Sequence, residues 1–252
     1  KTLFLGFSGG QGSGKTTVTK ILKIILKKFF KRKIYVSCID DFYKTLKDRN
    51  KMAHKIHPLF KTRGVPGTHD INLIKNFFTF AKEKKFIKTK LPKFDKSKDD
   101  RLKKKYWFNI KEKPEIIILE GWCVGAKPQP NYLLNKSINT LEKNKDQDLI
   151  WRKYVNEKLK NEYKKLFSMI DYCIFMKIPN FKMVFQWRLL QENKLRKRLK
   201  FKRKIMSSNE IKHFIMFYQR ITLQMIKDLS KSASIIMLLK KNHGIKKLLF
   251  KF

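Results

Sequence analysis

Long apolar runs are absent from the sequence. The longest candidates, at residues 116–119 and 234–239, fall far short of the roughly 18 to 20 residues that a membrane-spanning helix needs. The first residues already resemble a strand and lack the pattern of a signal or transit peptide. We therefore expect a soluble, cytoplasmic protein without a membrane span.

Cysteine is scarce. The three cysteines lie too far apart for a CxxC pair or a disulfide framework, so buried, reduced thiols are the expected state. The five histidines likewise lack the HExxH spacing or the paired Cys and His spacing of a zinc site. The sequence therefore predicts no transition metal.

Acidic residues are few, with 20 Asp and Glu against 61 Lys and Arg, and the formal net charge is +41. This charge raises the hypothesis of binding to nucleic acid or anionic lipid. The excess, however, is nearly all lysine, spread along the chain with abundant Ile, Asn and Phe, as expected when an A/T-rich genome biases codon choice. No known nucleic-acid-binding module accompanies it, so we do not expect nucleic-acid binding as the main function.

Strand-like and helix-like segments alternate along the chain. Strands are predicted at residues 2–7, 34–39, 115–119, 172–177 and 234–239. Helices are predicted over 17–30, after an Asp70 cap, around 149–167, from 181 onward and after a capping box at 207–210. The alternation predicts a doubly wound α/β fold with a mostly parallel sheet, whose ligands bind beyond the carboxyl ends of the strands.

Two helices have a clear apolar stripe at helical spacing. In the first, the predicted buried face consists of Val18, Ile21, Leu22, Ile25, Leu26 and Phe29. In the last, it consists of Ile211, Phe214, Ile215, Tyr218, Thr222, Met225 and Leu229. Residues 44–69 are instead predicted to be a polar connection.

A complete G-x-x-x-x-G-K-[ST] motif lies between the first predicted strand and the first predicted helix. Its residues are Gly9, Gly10, Gln11, Gly12, Ser13, Gly14, Lys15 and Thr16, and Thr17 follows. Glycines let backbone N–H groups surround phosphates, Lys15 neutralises the β and γ oxygens, and Thr16 ligates Mg²⁺. A glycine-rich turn that merely starts a helix would not require this Lys and Thr. The motif therefore predicts binding of ATP and Mg²⁺ by residues 9–17.

Carboxylates follow two predicted strands. Asp40 and Asp41 come after the second strand, which is expected to end beside the phosphate loop, and Glu120 ends the most hydrophobic strand. Such groups can accept the proton of an attacking hydroxyl or bind Mg²⁺. A solvated turn or a helix cap is the structural alternative for the aspartates.

Arg188 continues the apolar stripe of Phe181, Val184 and Phe185, where packing alone would favour a hydrophobic residue. An ion pair with Glu192, four residues later, is one interpretation. The other is a lid arginine that closes over a transferring phosphoryl group.

Six segments together resemble one kinase family. They are residues 9–16 (GGQGSGKT), 39–43 (IDDFY), 63–70 (RGVPGTHD), 91–96 (LPKFDK), 119–125 (LEGWCVG) and 186–192 (QWRLLQE). In this order and spacing they resemble the D-glycerate 3-kinase family, which is related to pantothenate kinase, uridine kinase and phosphoribulokinase. The resemblance spans almost the whole chain.

This resemblance implies ATP, Mg²⁺ and a P-loop kinase fold. It makes Asp40 the general base, with Lys15 and Arg188 as further catalytic residues. Glu120 joins Thr16 as a metal ligand.

The resemblance also implies an acceptor pocket. Arg63 and Lys96 would hold the carboxylate of glycerate through charge-assisted hydrogen bonds. The other substrate-binding residues would be Asp41, Tyr43 and His69. Asp95 and Arg101 are expected to stabilise the loop.

The predicted organisation is a single kinase domain over residues 1–252, with an acceptor-binding insertion around 44–114 and a basic lid around 188–208. The lid segment 193–208 has no glycine, unlike that of most family members. The leading interpretation is an ATP-dependent kinase that converts D-glycerate to phosphoglycerate. A pantothenate or nucleoside kinase, and a P-loop ATPase or nucleic-acid-binding protein, remain the alternatives.

Overall fold

A computed structural model describes residues 1–198 and 206–251. Within them the strands are β1 (Leu3–Gly9), β2 (Ile34–Cys38), β3 (Thr89–Leu91), β4 (Phe94–Asp95), β5 (Asp100–Arg101), β6 (Phe108–Ile110), β7 (Ile116–Gly121), β8 (Tyr172–Lys177), β9 (Ile235–Leu239) and β10 (Ile245–Phe250). The helices are α1 (Lys15–Lys28), α2 (Leu46–Lys55), α3 (Ile71–Lys82), α4 (Thr140–Lys145), α5 (Ile150–Lys158), α6 (Lys164–Phe167), α7 (Lys182–Arg198) and α8 (Ser208–Ser232). A π-helical turn, Leu159–Tyr163, joins α5 to α6.

The central sheet has six strands in the order β10-β9-β8-β1-β7-β2. Its neighbours pair in parallel, except that β10 runs antiparallel to β9. This arrangement confirms the predicted α/β fold class. β10 was not predicted, because its side chains are mostly exposed and the strand is specified by pairing with β9 rather than by a buried apolar pattern.

The order of the strands shows how the end of β2 comes close to the phosphate loop. β2 does not lie next to β1, because β7 pairs with both and separates them. The central residues of β7, Ile117, Ile118 and Leu119, are fully buried, as expected for an apolar strand that is covered on both faces. The carboxyl ends of β1, β7 and β2 still meet at one edge.

Helices cover both faces of the sheet. On one face, α3, α5 and α8 contribute to the larger apolar cluster. On the other, α1 and α7 pack through residues such as Leu22, Leu26 and Val184. The predicted caps are confirmed, since Asp70 accepts a hydrogen bond from the Leu73 N–H and Ser207 forms a capping box with Glu210.

Two predicted segments differ from the structure. On α1, Ile21 and Phe29 are 52% and 76% exposed, because the helix contacts the sheet through only one edge of its wide apolar stripe. The polar connection 44–69 contains α2, which Thr45 caps by accepting from the Asp48 N–H. Among the described residues, no helix is long and apolar enough to cross a membrane.

Candidate active site

The phosphate loop connects the end of β1 to the start of α1. Gly12 and Gly14 have φ angles of 76° and 92°, which favour glycine over any residue with a Cβ. A Cβ added to Gly12 would also lie 2.7 Å from the Cβ of Trp187. A Cβ on Gly14 would meet nothing within 4 Å, so the loop is open where α1 begins. An anion can therefore approach the N-terminus of α1.

Lys15 lies at the centre of this loop. Its Nζ donates to the carbonyl oxygens of Gly9 and Gly10, both at 2.9 Å. Burial lowers the pKa of the Lys15 ammonium, and the negative charges of Glu120 and Asp40 oppose that shift. An ammonium has three donors, so one N–H beyond the two used here can reach a ligand.

Several polar atoms around the loop fit a polar ligand. Within the described residues, the buried atoms Gln11 Oε1, Ser13 Oγ and Arg188 Nε have no hydrogen-bond partner. Buried polar atoms are normally satisfied, so atoms without a partner at a cleft indicate that a ligand or water completes the site. The Ser13 hydroxyl and the Arg188 Nε–H can donate to phosphate oxygens, which fits a bound triphosphate, whereas Gln11 Oε1 can only accept and needs a donor such as water. Thr17 is exposed in the first turn of α1.

Thr16 and Glu120 lie next to each other at the sheet edge. The Thr16 hydroxyl donates to Glu120 Oε1 at 2.8 Å, and Glu120 is only 3% exposed. A hydroxyl and a carboxylate are hard oxygen ligands of the type that Mg²⁺ takes beside phosphates and water. The pair therefore fits the predicted metal site.

Asp40 lies on a 3₁₀ turn, Ile39–Phe42, that follows β2. Its Oδ1 accepts from the Tyr43 hydroxyl at 3.0 Å, and its Oδ2 accepts from Lys96 Nζ at 2.8 Å. Burial by itself would raise the pKa of Asp40, but the charge and hydrogen bond of Lys96, together with smaller contributions that include the Tyr43 hydrogen bond, hold the pKa below its ordinary value. Asp40 is therefore an ionised carboxylate at neutral pH.

Asp41 departs from its predicted role in substrate binding. A 3₁₀ turn rotates successive side chains by about 120°, and Asp41 accepts from the backbone N–H of Phe94 at 3.3 Å. It does not line the cleft beside the phosphate loop. Asp41 instead attaches the β4 segment to the turn that carries Asp40.

One cleft contains most of the predicted site residues. It is lined by Gln11, Gly12, Lys15, Thr16, Cys38, Asp40, Tyr43, Arg63, Lys96, Glu120, Gly121, Trp122, Arg188, Gln191, Phe214 and Tyr218. Arg63 forms an ion pair with Asp99, and its guanidinium lies 5.5 Å from the centre of the Phe94 ring. The cleft thus places two cations of the predicted acceptor pocket, Arg63 and Lys96, near the phosphate loop.

The ion-pair interpretation of Arg188 is confirmed, and its role as a lid arginine stays a prediction. Its Nη2 lies 2.5 Å from Oε1 of the buried Glu192, so the ion pair exists. Its side chain nevertheless lines the cleft, and its guanidinium lies 5.5 Å from the centre of the Phe214 ring. The ion pair can hold Arg188 in position for a ligand. Of the predicted lid, residues 199–205 lie outside the described residues.

His69 was predicted to bind substrate, but the structure places it behind the cleft. It is 1% exposed, does not line the cleft, and stacks on the Tyr43 ring at a centroid distance of 4.5 Å. Its Nδ1 lies 2.6 Å from the Tyr163 hydroxyl. Burial lowers the pKa of His69 to about 4, so the ring is neutral at physiological pH. His69 supports Tyr43, and through it Asp40, from behind the cleft.

Two aromatic residues that line the cleft, Trp122 and Tyr218, were not predicted as site residues. Tyr218 was predicted only as part of a buried helix face. Trp122 Nε1 donates to the Gly64 carbonyl at 3.1 Å, and the Tyr218 hydroxyl donates to the Arg63 carbonyl at 3.2 Å. Both bonds fix the backbone that carries Arg63. The sequence did offer a signal for both residues, because Trp122 follows a predicted strand and Tyr218 lies on the apolar stripe of a predicted helix, and each side chain carries a polar group. Arg101 and Asp95 stabilise loops as expected, Arg101 through the Tyr43 carbonyl and Asp95 through Ser97.

Comparisons with known proteins found similar kinases. The chain is 31% identical over 226 residues to "Uncharacterized kinase mug58" of Schizosaccharomyces pombe, covering 86% of this chain and 79% of that protein. It is 30% identical over 202 residues to the chloroplastic D-glycerate 3-kinase of Arabidopsis thaliana, covering 77% of this chain and 42% of that protein. The fold is similar to that of a D-glycerate 3-kinase from Cryptococcus neoformans, with a TM-score of 0.82 and 23% identity, covering 99% of this chain and 90% of that one. No protein-family model matches the sequence.

The Lys96–Asp40 pair generates a prediction about ionisation. In Lys96→Met the counter-charge is lost while burial of the carboxylate remains, so the pKa of Asp40 should rise from below its ordinary value to above it. Titration of ¹³C-labelled aspartate carboxyls by NMR, with Asp40→Asn for assignment, would measure the change. Lys98→Met, which removes a nearby cation that does not contact Asp40, is the control. An unchanged Asp40 titration in Lys96→Met would contradict this account.

Proposed function

The chain belongs to the D-glycerate 3-kinase family of P-loop kinases, and on that premise we propose that it transfers the γ-phosphoryl group of ATP to a hydroxyl of D-glycerate. ATP-dependent phosphoryl transfer follows from the family. The choice of D-glycerate follows the name of the Arabidopsis relative, and one observation supports an anionic hydroxylated acceptor: Asp40, Arg63 and Lys96 line the same cleft as the phosphate loop.

ATP would be held mainly by the phosphate loop. Backbone N–H groups of the phosphate loop would surround the phosphates, and Lys15 would neutralise the charge on the β and γ oxygens. Thr16 and Glu120 would hold Mg²⁺, which when bound stabilises negative charge on the phosphates. Arg188 contributes positive charge from α7, the helix that closes this side of the cleft.

The acceptor hydroxyl would be activated by Asp40. The hydroxyl oxygen forms a bond to the γ-phosphorus, the bond from that phosphorus to the β–γ bridging oxygen breaks, and ADP leaves. The hydroxyl proton passes to a carboxylate oxygen of Asp40. Tyr43 orients Asp40 through its hydrogen bond.

The pairing of Lys96 with Asp40 links acceptor binding to this proton transfer. In the structure Lys96 holds the pKa of Asp40 low, which makes Asp40 a weak base. An acceptor carboxylate that draws Lys96 toward itself would weaken the pair and raise the pKa of Asp40. Asp40 would then become a stronger base only when an anionic acceptor is bound.

The charge of the cleft also favours an anionic acceptor. Four cations, Lys15, Arg63, Lys96 and Arg188, line it together with two carboxylates, Asp40 and Glu120. Arg63 and Lys96 are already paired with Asp99 and Asp40, and an acceptor carboxylate would compete for these cations, which a neutral polyol cannot do. A hydroxy acid supplies both the nucleophilic hydroxyl and the carboxylate that these cations can hold.

A substrate screen coupled to ADP release tests the proposal. D-glycerate should stimulate ATP turnover strongly, whereas glycerol, pantothenate, uridine and single-stranded DNA should not. Stimulation by pantothenate or uridine alone would instead indicate a pantothenate or nucleoside kinase. Stimulation by DNA without any by glycerate would support a nucleic-acid-dependent ATPase.

Arg63 provides a prediction about acceptor recognition. In Arg63→Met a charged hydrogen bond worth about 1.5–3 kcal/mol is lost, so the KM for glycerate should rise about 10- to 100-fold while the KM for ATP changes little. Steady-state kinetics with glycerate, and with glycerol at high concentration, separate charge recognition from general damage. Equal weakening toward both acceptors would contradict a role in binding the carboxylate.

Asp40 provides a prediction about proton transfer. Asp40→Asn keeps the shape of the side chain but removes its basicity, so kcat should fall by about 10² to 10⁴ with ATP affinity nearly unchanged. Asp41→Asn is the matched control, because Asp41 lies outside the cleft and should retain most activity. Single-turnover phosphorylation and ATP binding would be measured for both variants. A loss confined to Asp41→Asn would assign the base to Asp41, and no loss in either would make both carboxylates structural.

A further inference from the structure

The turn between β9 and β10 reaches the phosphate loop from the far end of the chain. His243 Nε2 in this turn lies 2.8 Å from the carbonyl oxygen of Gly12, a residue 231 positions earlier. A carbonyl oxygen can only accept, so the ring must carry its proton on Nε2 and donate it to the loop.

The His243 ring is held on a second side. It stacks on the Trp187 ring with centroids 4.3 Å apart, and Trp187 Nε1 donates to the Lys241 carbonyl in the same turn at 2.9 Å. Trp187 also lies so close to Gly12 that no Cβ would fit there. Gly12 is thus fixed between α7 and the β9–β10 turn.

The backbone of the turn is strained at the residue that makes this contact. His243 has a φ angle of 68°, in the left-handed region that residues other than glycine rarely adopt. The turn is closed around it, since Lys240 N donates to the Gly244 carbonyl at 2.7 Å and His243 N to the Lys240 carbonyl at 3.1 Å. A strained histidine where glycine would fit better indicates that the side chain serves a purpose at this position.

We propose that His243 is a positioning residue of the phosphate loop, which fixes the Gly12 carbonyl and thereby prepares the loop to bind ATP. The peptide plane of Gly12 and Ser13 carries both that carbonyl and the Ser13 N–H, so fixing one fixes the other. The Ser13 N–H in turn donates to the Gly10 carbonyl at 3.3 Å, which extends the effect across the loop. The inference rests on the proposed function only in that the loop binds ATP.

Direct measurement of ATP binding, without any acceptor, tests this role. Calorimetry with Mg²⁺ and ATP should show about three- to tenfold weaker binding for His243→Ala and His243→Gly, as expected for one lost hydrogen bond. His243→Gln, which can place an amide N–H near the position of Nε2, should restore affinity to within about twofold. Asn242→Ala, in the same turn but without contact to the phosphate loop, should bind ATP like the parent protein.

The glycine variant separates positioning from folding. His243→Gly relieves the strain at φ 68°, so its melting temperature should be at least that of His243→Ala even though both bind ATP weakly. Parent-like binding of ATP by His243→Ala and His243→Gly would overturn the proposal. A dissociation constant that simply follows the melting temperature through all four variants would overturn it as well. Because no acceptor is present, neither result depends on whether glycerate is the substrate.

Discussion

The hydrogen bond between Thr16 and Glu120 is the contact on which the rest of the site depends. It connects the first turn of α1 to the end of β7, and the parallel pairing of Phe7 with Glu120 brings those two ends together. The next residue, Gly121, packs directly against Ile39, where a Cβ would overlap the side chain. The same strand end therefore positions the phosphate loop on one side and the turn that carries Asp40 on the other.

Electrostatics then determine what this edge of the sheet can bind. Burial lowers the pKa of the Lys15 ammonium, and the negative charges of Glu120 and Asp40 oppose that shift. Lys96 pairs with Asp40 and holds the pKa of that carboxyl low. A cleft with this excess of cations favours two anionic ligands, a nucleotide phosphate and an acidic acceptor.

The sequence predicted the parts of the site that depend on local pattern. The phosphate loop is a contiguous motif, and Glu120 ends a strand whose apolar run requires a central position, so both could be placed without a structure. Asp41 and His69 could not be placed, because the 3₁₀ turn redirects one and aromatic stacking buries the other. The contact of His243 with Gly12 joins opposite ends of the chain, and no local pattern predicts it. The position of β7 between β1 and β2 is likewise a property of the whole sheet.

The central claim is that ATP phosphates bind at the loop around Lys15, and the Lys15→Ala variant tests it most directly. ATP binding by calorimetry and ATP turnover should be measured beside Lys20→Ala, which removes an exposed lysine of the same helix. We expect Lys15→Ala to lose nearly all turnover and most ATP affinity while its circular dichroism and melting curve remain close to those of Lys20→Ala. Near-normal turnover by a folded Lys15→Ala protein would contradict the assignment of this loop as the phosphate-binding site.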